Sequence, residues 1–198
     1  MRRPFMDTPE QLASLEGQQY LVLRPTAGVR ETYRGVQDAA LARLGIPVRR
    51  PHTGHVTLRG FSELERREEL AALIRAWAAQ QRPIEIIADA VDEFPAPWQI
   101  LIVRLARSAS LVTAYSTLTA ALDATDFRRL GELPLADWTF HLSVLYGNSL
   151  DAKEWSRFAQ AESRAFGSVP AEVISEAEFV WYQDGREHAE ILPLRSRA

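Results

Sequence analysis

Two short strings in this chain combine residue types able to do acid–base chemistry: Gly54-His55-Val56-Thr57-Leu58 and Phe140-His141-Leu142-Ser143-Val144. Each reads histidine, apolar, hydroxyl, apolar. In a β-strand successive side chains point to opposite faces, so an imidazole and the hydroxyl two residues on share one face. Val56 and Leu58, and likewise Leu142 and Val144, then point the other way, into a core. The chain has four histidines, and two of them sit in near-copies of one motif, one in each half. Two imidazoles aimed at one point supply a general base and a general acid. Two hydroxyls beside them can hold the oxygens of a phosphate.

The elements that must position these strings are legible around them. Gln18–Arg24 reads as a strand ending at Pro25, and Val29–Leu44 carries apolar residues at helical spacing up to Gly45. His55–Gly60 is the first motif strand. Ser62-x-x-Glu65 has the pattern of a capping box, predicting a helix from Ser62 to about Gln81. Ile84–Phe94 and Gln99–Ala106 read as strands separated by Pro95-Ala96-Pro97, followed by a helix at Ser110–Leu122 and a loop at Phe127–Leu135. Thr139–Tyr146 is the second motif strand, Asp151–Ala165 a helix, and Val173–Tyr182 with His188–Leu194 a closing hairpin. This order predicts an α+β fold: two pseudo-symmetric lobes of antiparallel sheet facing across a central groove, with helices packed outside. Residues 1–16 read as a poorly anchored N-terminal arm, and 17–198 as a single bilobal domain.

Around the motifs, several residues are candidates for holding a substrate. Arg59 lies two residues beyond Thr57 and joins the same face if the strand stays regular, where a guanidinium is a charge-assisted partner for phosphate. Arg24 ends the first strand and is a second candidate for the groove. Tyr146 falls on the core side by strand parity and reaches the site only if the strand twists or bulges. Trp98, Trp138 and Trp181 have rings able to stack on a base. Arg49 and Arg50 flank the first motif as loop charges that steer anions. His52 reads as a loop residue near the mouth, and His188 as structural.

Composition narrows the class. Hydrophobic residues at 46% and charged residues at 25% are those of an ordinary globular protein with material for a sizeable core. The absence of cysteine removes disulfides, thiolate metal sites and a thiol nucleophile. No histidine cluster of metal-binding spacing occurs, and Asp89, Asp92 and Glu93 have no histidine near them in sequence, so no metal or other cofactor is expected. A net charge of −3 is the wrong sign for gripping a long duplex and favours a small phosphorylated ligand or the end of an RNA. No apolar run is long enough for a membrane span, and Met1–Phe5 is basic without a following apolar stretch; a cytoplasmic monomer is the expectation.

The paired His-x-Thr/Ser-x motif, one copy in each half of a chain of this size, resembles the 2H phosphoesterase superfamily and, within it, the bacterial 2′-5′ RNA ligase family proteins. The resemblance runs from the strand at Tyr20–Arg24 to the closing segment at Phe179–Leu194; Ser143 stands where threonine is commoner and keeps the hydroxyl. It implies a metal-independent phosphodiesterase or cyclic phosphodiesterase acting on small nucleotides or RNA ends, at 2′,3′-cyclic phosphates or 2′-5′ linkages, with RNA ligation as the reverse reaction. His55, His141, Thr57 and Ser143 would be the catalytic set, with Arg59, Arg24, Tyr146 and Trp98 on the substrate. The alternative is a protein that binds a phosphorylated ligand or RNA end in the same groove without turning it over.

Overall fold

A computed structural model describes residues 2–195. Among them the elements run α1 (Pro9–Leu15), β1 (Gln19–Leu23), α2 (Gly28–Leu44), β2 (Val56–Phe61), α3 (Arg67–Gln80), β3 (Ile84–Phe94), β4 (Ile100–Leu105), α4 (Ala109–Asp123), β5 (Arg129–Leu130), β6 (His141–Tyr146), α5 (Ala152–Glu162), β7 (Arg164–Ala165), β8 (Ala171–Ile174), β9 (Glu176–Gln183) and β10 (Arg186–Pro193). The strands form an antiparallel sheet in the order β10-β9-β1-β2-β6-β4-β3-β7, with β5 added to β2 and β8 to β3. The architecture is α+β, as the element order predicts.

The sheet is two lobes joined at a seam. One lobe is built on β1, β2, β9 and β10; the other on β3, β4 and β6. The motif strands β2 and β6 meet at a single pair, Val56 opposite Leu142. These antiparallel strands overlap only near their N-terminal ends and run away from each other. Beyond the seam each finds another partner. Gly60 and Phe61 pair with β5, and Tyr146 pairs with Arg49 of the loop before β2. Val56 and Leu142 are both fully buried, at the centre of a core that takes in the apolar faces of α2, α3 and α4.

Both motif strands also bulge at the same offset from their histidines. On β2, Thr57 pairs with Val22 but Arg59 with Leu21, leaving Leu58 unmatched. On β6, Ser143 pairs with Ile102 but Leu145 with Leu101, leaving Val144 unmatched. A bulge inserts one residue, bends the strand and frees a backbone group from the ladder. The freed Val144 carbonyl is met by buried Gln37 of α2, whose amide donates to it at 2.8 Å and to the Pro51 carbonyl at 3.1 Å.

Three local expectations need correction. The Ser62–Glu65 capping box does not form: α3 starts at Arg67, and the Ser62 and Glu63 backbone N–H groups are instead given to the Arg128 carbonyl and the Gln19 side chain. The last helix does open on a capping box, built by Asp151 and Glu154, but it stops at Glu162, and Arg164–Ala165 turn extended to pair with β3. The closing strand from Val173 divides into β8, which pairs with β3, and β9, which pairs with β1.

The N-terminal segment is the largest departure. Expected to be poorly anchored, it is fixed over the first lobe. Phe5 is 1% exposed and packs with Met6, Val22, Val180 and Tyr182 in a second apolar cluster. The Phe5 and Met6 amides donate to the Glu187 carboxylate, and Arg2 pairs with Glu178 at 2.8 Å and Glu187 at 2.7 Å. Val22 and Val180 face the concave side of the sheet, so an arm lifted away would leave apolar strand residues in water.

Gly147, at the end of β6, packs against the fully buried Trp155. A Cβ there would lie 2.2 Å from the indole ring. Gly147→Ala should therefore overpack this end of the second lobe and lower stability by about 1–3 kcal/mol, read as a lower urea midpoint at unchanged slope.

Candidate active site

The seam decides how the motif side chains meet. Continued by one residue each way, the antiparallel register of Val56 and Leu142 sets His55 opposite Ser143 and Thr57 opposite His141. Directly opposed residues share a face, so the register sets each imidazole toward the other motif's hydroxyl. All four side chains are half-buried, while Val56, Leu58, Leu142 and Val144 are buried on the core side. Gly54 permits the close approach ahead of His55: a Cβ there would come within 2.9 Å of both Leu142 and Tyr33.

His55, Thr57, Ser143 and Tyr146 line one recess of about 140 Å³, shared with Phe5, Tyr20 and Tyr182. Among the described residues no carboxylate lines it. His141 does not line this recess; its ring is edge-on to the Phe94 ring at 4.9 Å. Its charge is nonetheless felt by His55. Tyr146 reaches the recess because of the bulge at Val144, which shifts side-chain alternation by one and turns Tyr146 from the core face to the concave face.

The same bulge logic removes Arg59. Expected beside Thr57, Arg59 follows the unmatched Leu58 and turns away from the groove. It is fully buried against α4, where its guanidinium donates to the Tyr115 hydroxyl at 2.9 Å and the Thr119 hydroxyl at 2.5 Å, and pairs with Glu132 at 3.1 Å. Arg24 does lie on the concave side but is committed there. It pairs with Glu178, donates to the Thr53 hydroxyl at 3.1 Å, and stacks over the Phe5 ring at 3.8 Å. Trp98 stands 65% exposed in the β3–β4 turn and lines none of the recess. Trp138 packs on Tyr115, and Trp181 stacks with His188. His52 faces Asp7 at 3.3 Å, beside a larger outer cavity that also reaches Tyr146. Asp89 and Asp92 hold Arg104, and Glu93 accepts the Trp155 indole N–H. Among the described residues no three His, Asp or Glu side chains gather where they could hold a metal.

The residues missed from sequence are Phe5, Tyr20 and Tyr182. Tyr20 had a signal: it shares strand parity with Arg24. Phe5 had none, because its contact with the His55 ring, 4.5 Å between centroids, depends on where the arm lies.

The two imidazoles are held alike. His55 Nδ1 faces the Thr53 carbonyl at 3.4 Å, and His141 Nδ1 faces the Thr139 carbonyl at 2.8 Å. A carbonyl only accepts, so Nδ1 carries the hydrogen in both rings and Nε2 is left to meet a ligand. Desolvation pushes both imidazoles toward the neutral form. For His55 it is reinforced by the Arg24 and His141 charges, and the pKa falls to about 4. His141 is lowered by burial against the pull of the Thr139 carbonyl. Burial pushes the phenols the other way: Tyr20 to about 12, with Tyr146 and Tyr182 also raised. At neutral pH the recess thus offers neutral imidazole and hydroxyl groups without a fixed negative charge.

A family model described as the 2′-5′ RNA ligase superfamily matches residues 27–186. Among solved structures, TT0787 of Thermus thermophilus is similar at 17% identity, covering 91% of this chain and 100% of that one, with a TM-score of 0.66. LigT of E. coli, complexed with 3′-AMP, is similar at 14% identity over 91% of this chain and 100% of its own, with a TM-score of 0.55. Usb1 of Kluyveromyces marxianus, with uridine monophosphate, is similar at 12% identity with the same coverage and a TM-score of 0.53. At these identities the likeness is one of fold. No curated protein matches the chain.

The depressed imidazoles make a pH prediction. Between the His55 value of about 4 and the ordinary 6.5, the unfolded chain binds more protons than the folded one, so stability should fall as pH drops through that window. An NMR titration should place the His55 ring transition near 4, and inorganic phosphate should move it upward by stabilising the imidazolium. A His55 midpoint at or above 6.5 in the free protein would contradict the desolvated setting.

Proposed function

Because this chain belongs to the 2′-5′ RNA ligase superfamily and its two histidine–hydroxyl pairs meet at one strand seam, we propose that it is a metal-independent phosphodiesterase acting on small nucleotides or RNA ends. The observation that carries the reading is the Val56–Leu142 register, which sets His55 toward Ser143 and His141 toward Thr57 on one half-buried face. The nucleotides named with the LigT and Usb1 structures support a nucleotide as ligand. The substrate would carry a 2′,3′-cyclic phosphate or a 2′-5′ linkage.

The reaction is in-line displacement at phosphorus. One neutral imidazole takes the proton of the attacking water or ribose hydroxyl through Nε2. The other, protonated, gives its proton to the leaving oxygen as the P–O bond breaks. Thr57 and Ser143 donate hydrogen bonds to the non-bridging oxygens, where charge builds up. The neutral Tyr146 phenol is a further donor at the same recess. Arg59 has no part, being buried against α4. The bound phosphate supplies the negative charge that the recess lacks, and so restores protonation to whichever imidazole serves as the acid. Ligation is this displacement reversed.

Hydrolysis of 2′,3′-cyclic mononucleotides and 2′-5′ dinucleotides by the purified protein, followed with and without EDTA, tests the reading. Turnover should persist in EDTA. His55→Ala and His141→Ala should each cost about 10²–10⁴-fold in kcat, with the double variant little worse, since both act on one displacement. Ser143→Thr should retain activity that Ser143→Ala loses. Tight nucleotide binding without turnover would make the protein a binder, and a strict requirement for added Mg²⁺ would replace the two-histidine scheme.

The pH profile is a separate check. Both free imidazoles titrate below 6.5, so kcat/KM should be bell-shaped with its optimum on the acid side of 6.5. The optimum for kcat should lie at higher pH, because the bound phosphate raises the imidazole that must stay protonated. Coincident profiles would show that substrate charge does not set the protonation of the acid.

A further inference from the structure

Beside the Thr53–Gly54 segment lies another cavity, of about 570 Å³. Six arginines line it: Arg2 and Arg3 from the N-terminal segment, Arg24 from the end of β1, Arg30 and Arg34 from α2, and Arg50 from the loop before β2. Only two carboxylates accompany them among the described residues, Asp38 and Glu178. Glu178 is already held between Arg24 and Arg2. Arg3, Arg30, Arg34 and Arg50 are exposed, and among the described residues none of them has an ion pair. A chain with a net charge of −3 has thus gathered unneutralised positive charge around one concavity.

A single ring lies between Arg24 of this cavity and His55 of the recess. Phe5 lies under the Arg24 guanidinium at 3.8 Å and against the His55 imidazole at 4.5 Å. Arg30 and Arg34 are one helical turn apart, about 6 Å along the axis of α2, a separation comparable with that of successive phosphates in a nucleotide chain. Like charges at this spacing weaken a helix unless something anionic lies between them. The small recess has room for a phosphate and little more, whereas the arginine cavity is several times larger.

We propose that the arginine cavity is a binding site for the backbone phosphates of a single-stranded RNA whose terminal phosphate lies in the His55 recess. The favoured substrate is then an RNA end with chain attached, while a mononucleotide uses the recess alone. This rests on the phosphodiesterase reading for the position of the terminal phosphate. The anion site itself rests only on the arginines. The N-terminal segment has a function in this arrangement: anchored through Glu178 and Glu187, it places Arg2 and Arg3 on the cavity wall.

The probe is a fluorescein-labelled single-stranded RNA about ten nucleotides long, within the usual single-strand site size, ending in a plain 3′-hydroxyl so that binding needs no reaction. Fluorescence anisotropy is followed over a range of salt for the wild-type protein and for Arg30→Ala/Arg34→Ala. Both positions are exposed on a helix that alanine favours, so the fold is retained. The double variant should bind about tenfold more weakly, and its plot of log K against log salt should be shallower by about 1.4, or about 0.7 for each phosphate no longer neutralised. Arg30→Lys/Arg34→Lys should recover much of the salt slope. Hydrolysis of a 2′,3′-cyclic mononucleotide should be unchanged in both variants. Equal RNA binding by wild type and double alanine variant overturns the proposal, as does failure of the wild type to bind. A parallel loss of mononucleotide turnover also overturns it, because the arginines would then serve the reaction itself. Arginine-dependent capture of acidic lipid vesicles without RNA binding would replace the RNA by a membrane surface. Arginine-dependent RNA binding with no turnover of any substrate would leave the cavity assigned and the phosphodiesterase reading refuted.

Discussion

Val56 against Leu142 is the one pairing that joins the two motif strands, and the rest of the site is arranged by it. Both residues are completely buried, so hydrophobic burial fixes the register from the core side. A slip of one residue in either strand would turn that strand's imidazole and hydroxyl into the core and its apolar residues into the groove. Burial of two aliphatic residues thereby specifies the position of four polar ones. Overlap near the N-terminal ends alone also lets the lobes diverge, leaving each motif strand free to take another partner beyond the seam.

The matching bulges put this approximate two-fold symmetry to different uses. Each follows its histidine by the same interval, and each shifts the alternation of the residues after it. In the first lobe the shift delivers Arg59 to a buried polar niche on α4. In the second, Leu145 takes the equivalent place in the core, and the residue after it, Tyr146, reaches the recess. An arginine beside Thr57 would have put a permanent positive charge within the site and lowered the histidines further. Its removal leaves the recess governed by groups that can change their protonation.

Charge is organised in two regimes. Around the histidines, desolvation dominates and favours neutral groups. On the other side of Phe5, arginines are held in a network around Glu178. There burial pushes the carboxyl up, but Arg24 and Arg2 more than reverse it and keep it charged. The Phe5 ring separates these settings with an apolar face on one side and a cation-binding face on the other. That arrangement needs the N-terminal segment in place, although the matched family region begins only at residue 27.

Local rules of strand parity were enough to place His55 with Thr57 and His141 with Ser143, because alternation needs only neighbouring residues. Apolar periodicity was likewise enough for α2, β3 and the overall α+β order. What sequence could not supply was any feature set by a partner strand or a distant segment. A bulge exists only relative to the strand opposite, so the exchange of Arg59 for Tyr146 at the concave face was invisible until β1 and β4 were in register. Ser62 and Glu65 had the residues for a helix cap, but the Ser62 backbone N–H is taken by the Arg128 carbonyl, far along the chain. The arm looked unanchored because its anchors, Glu178 and Glu187, lie at the opposite end of the sequence. The chain by itself determined which residues could do the chemistry and which face of each strand they share. Only tertiary structure decided which cations join them, because ion pairs and ring contacts are made between segments that the sequence keeps far apart.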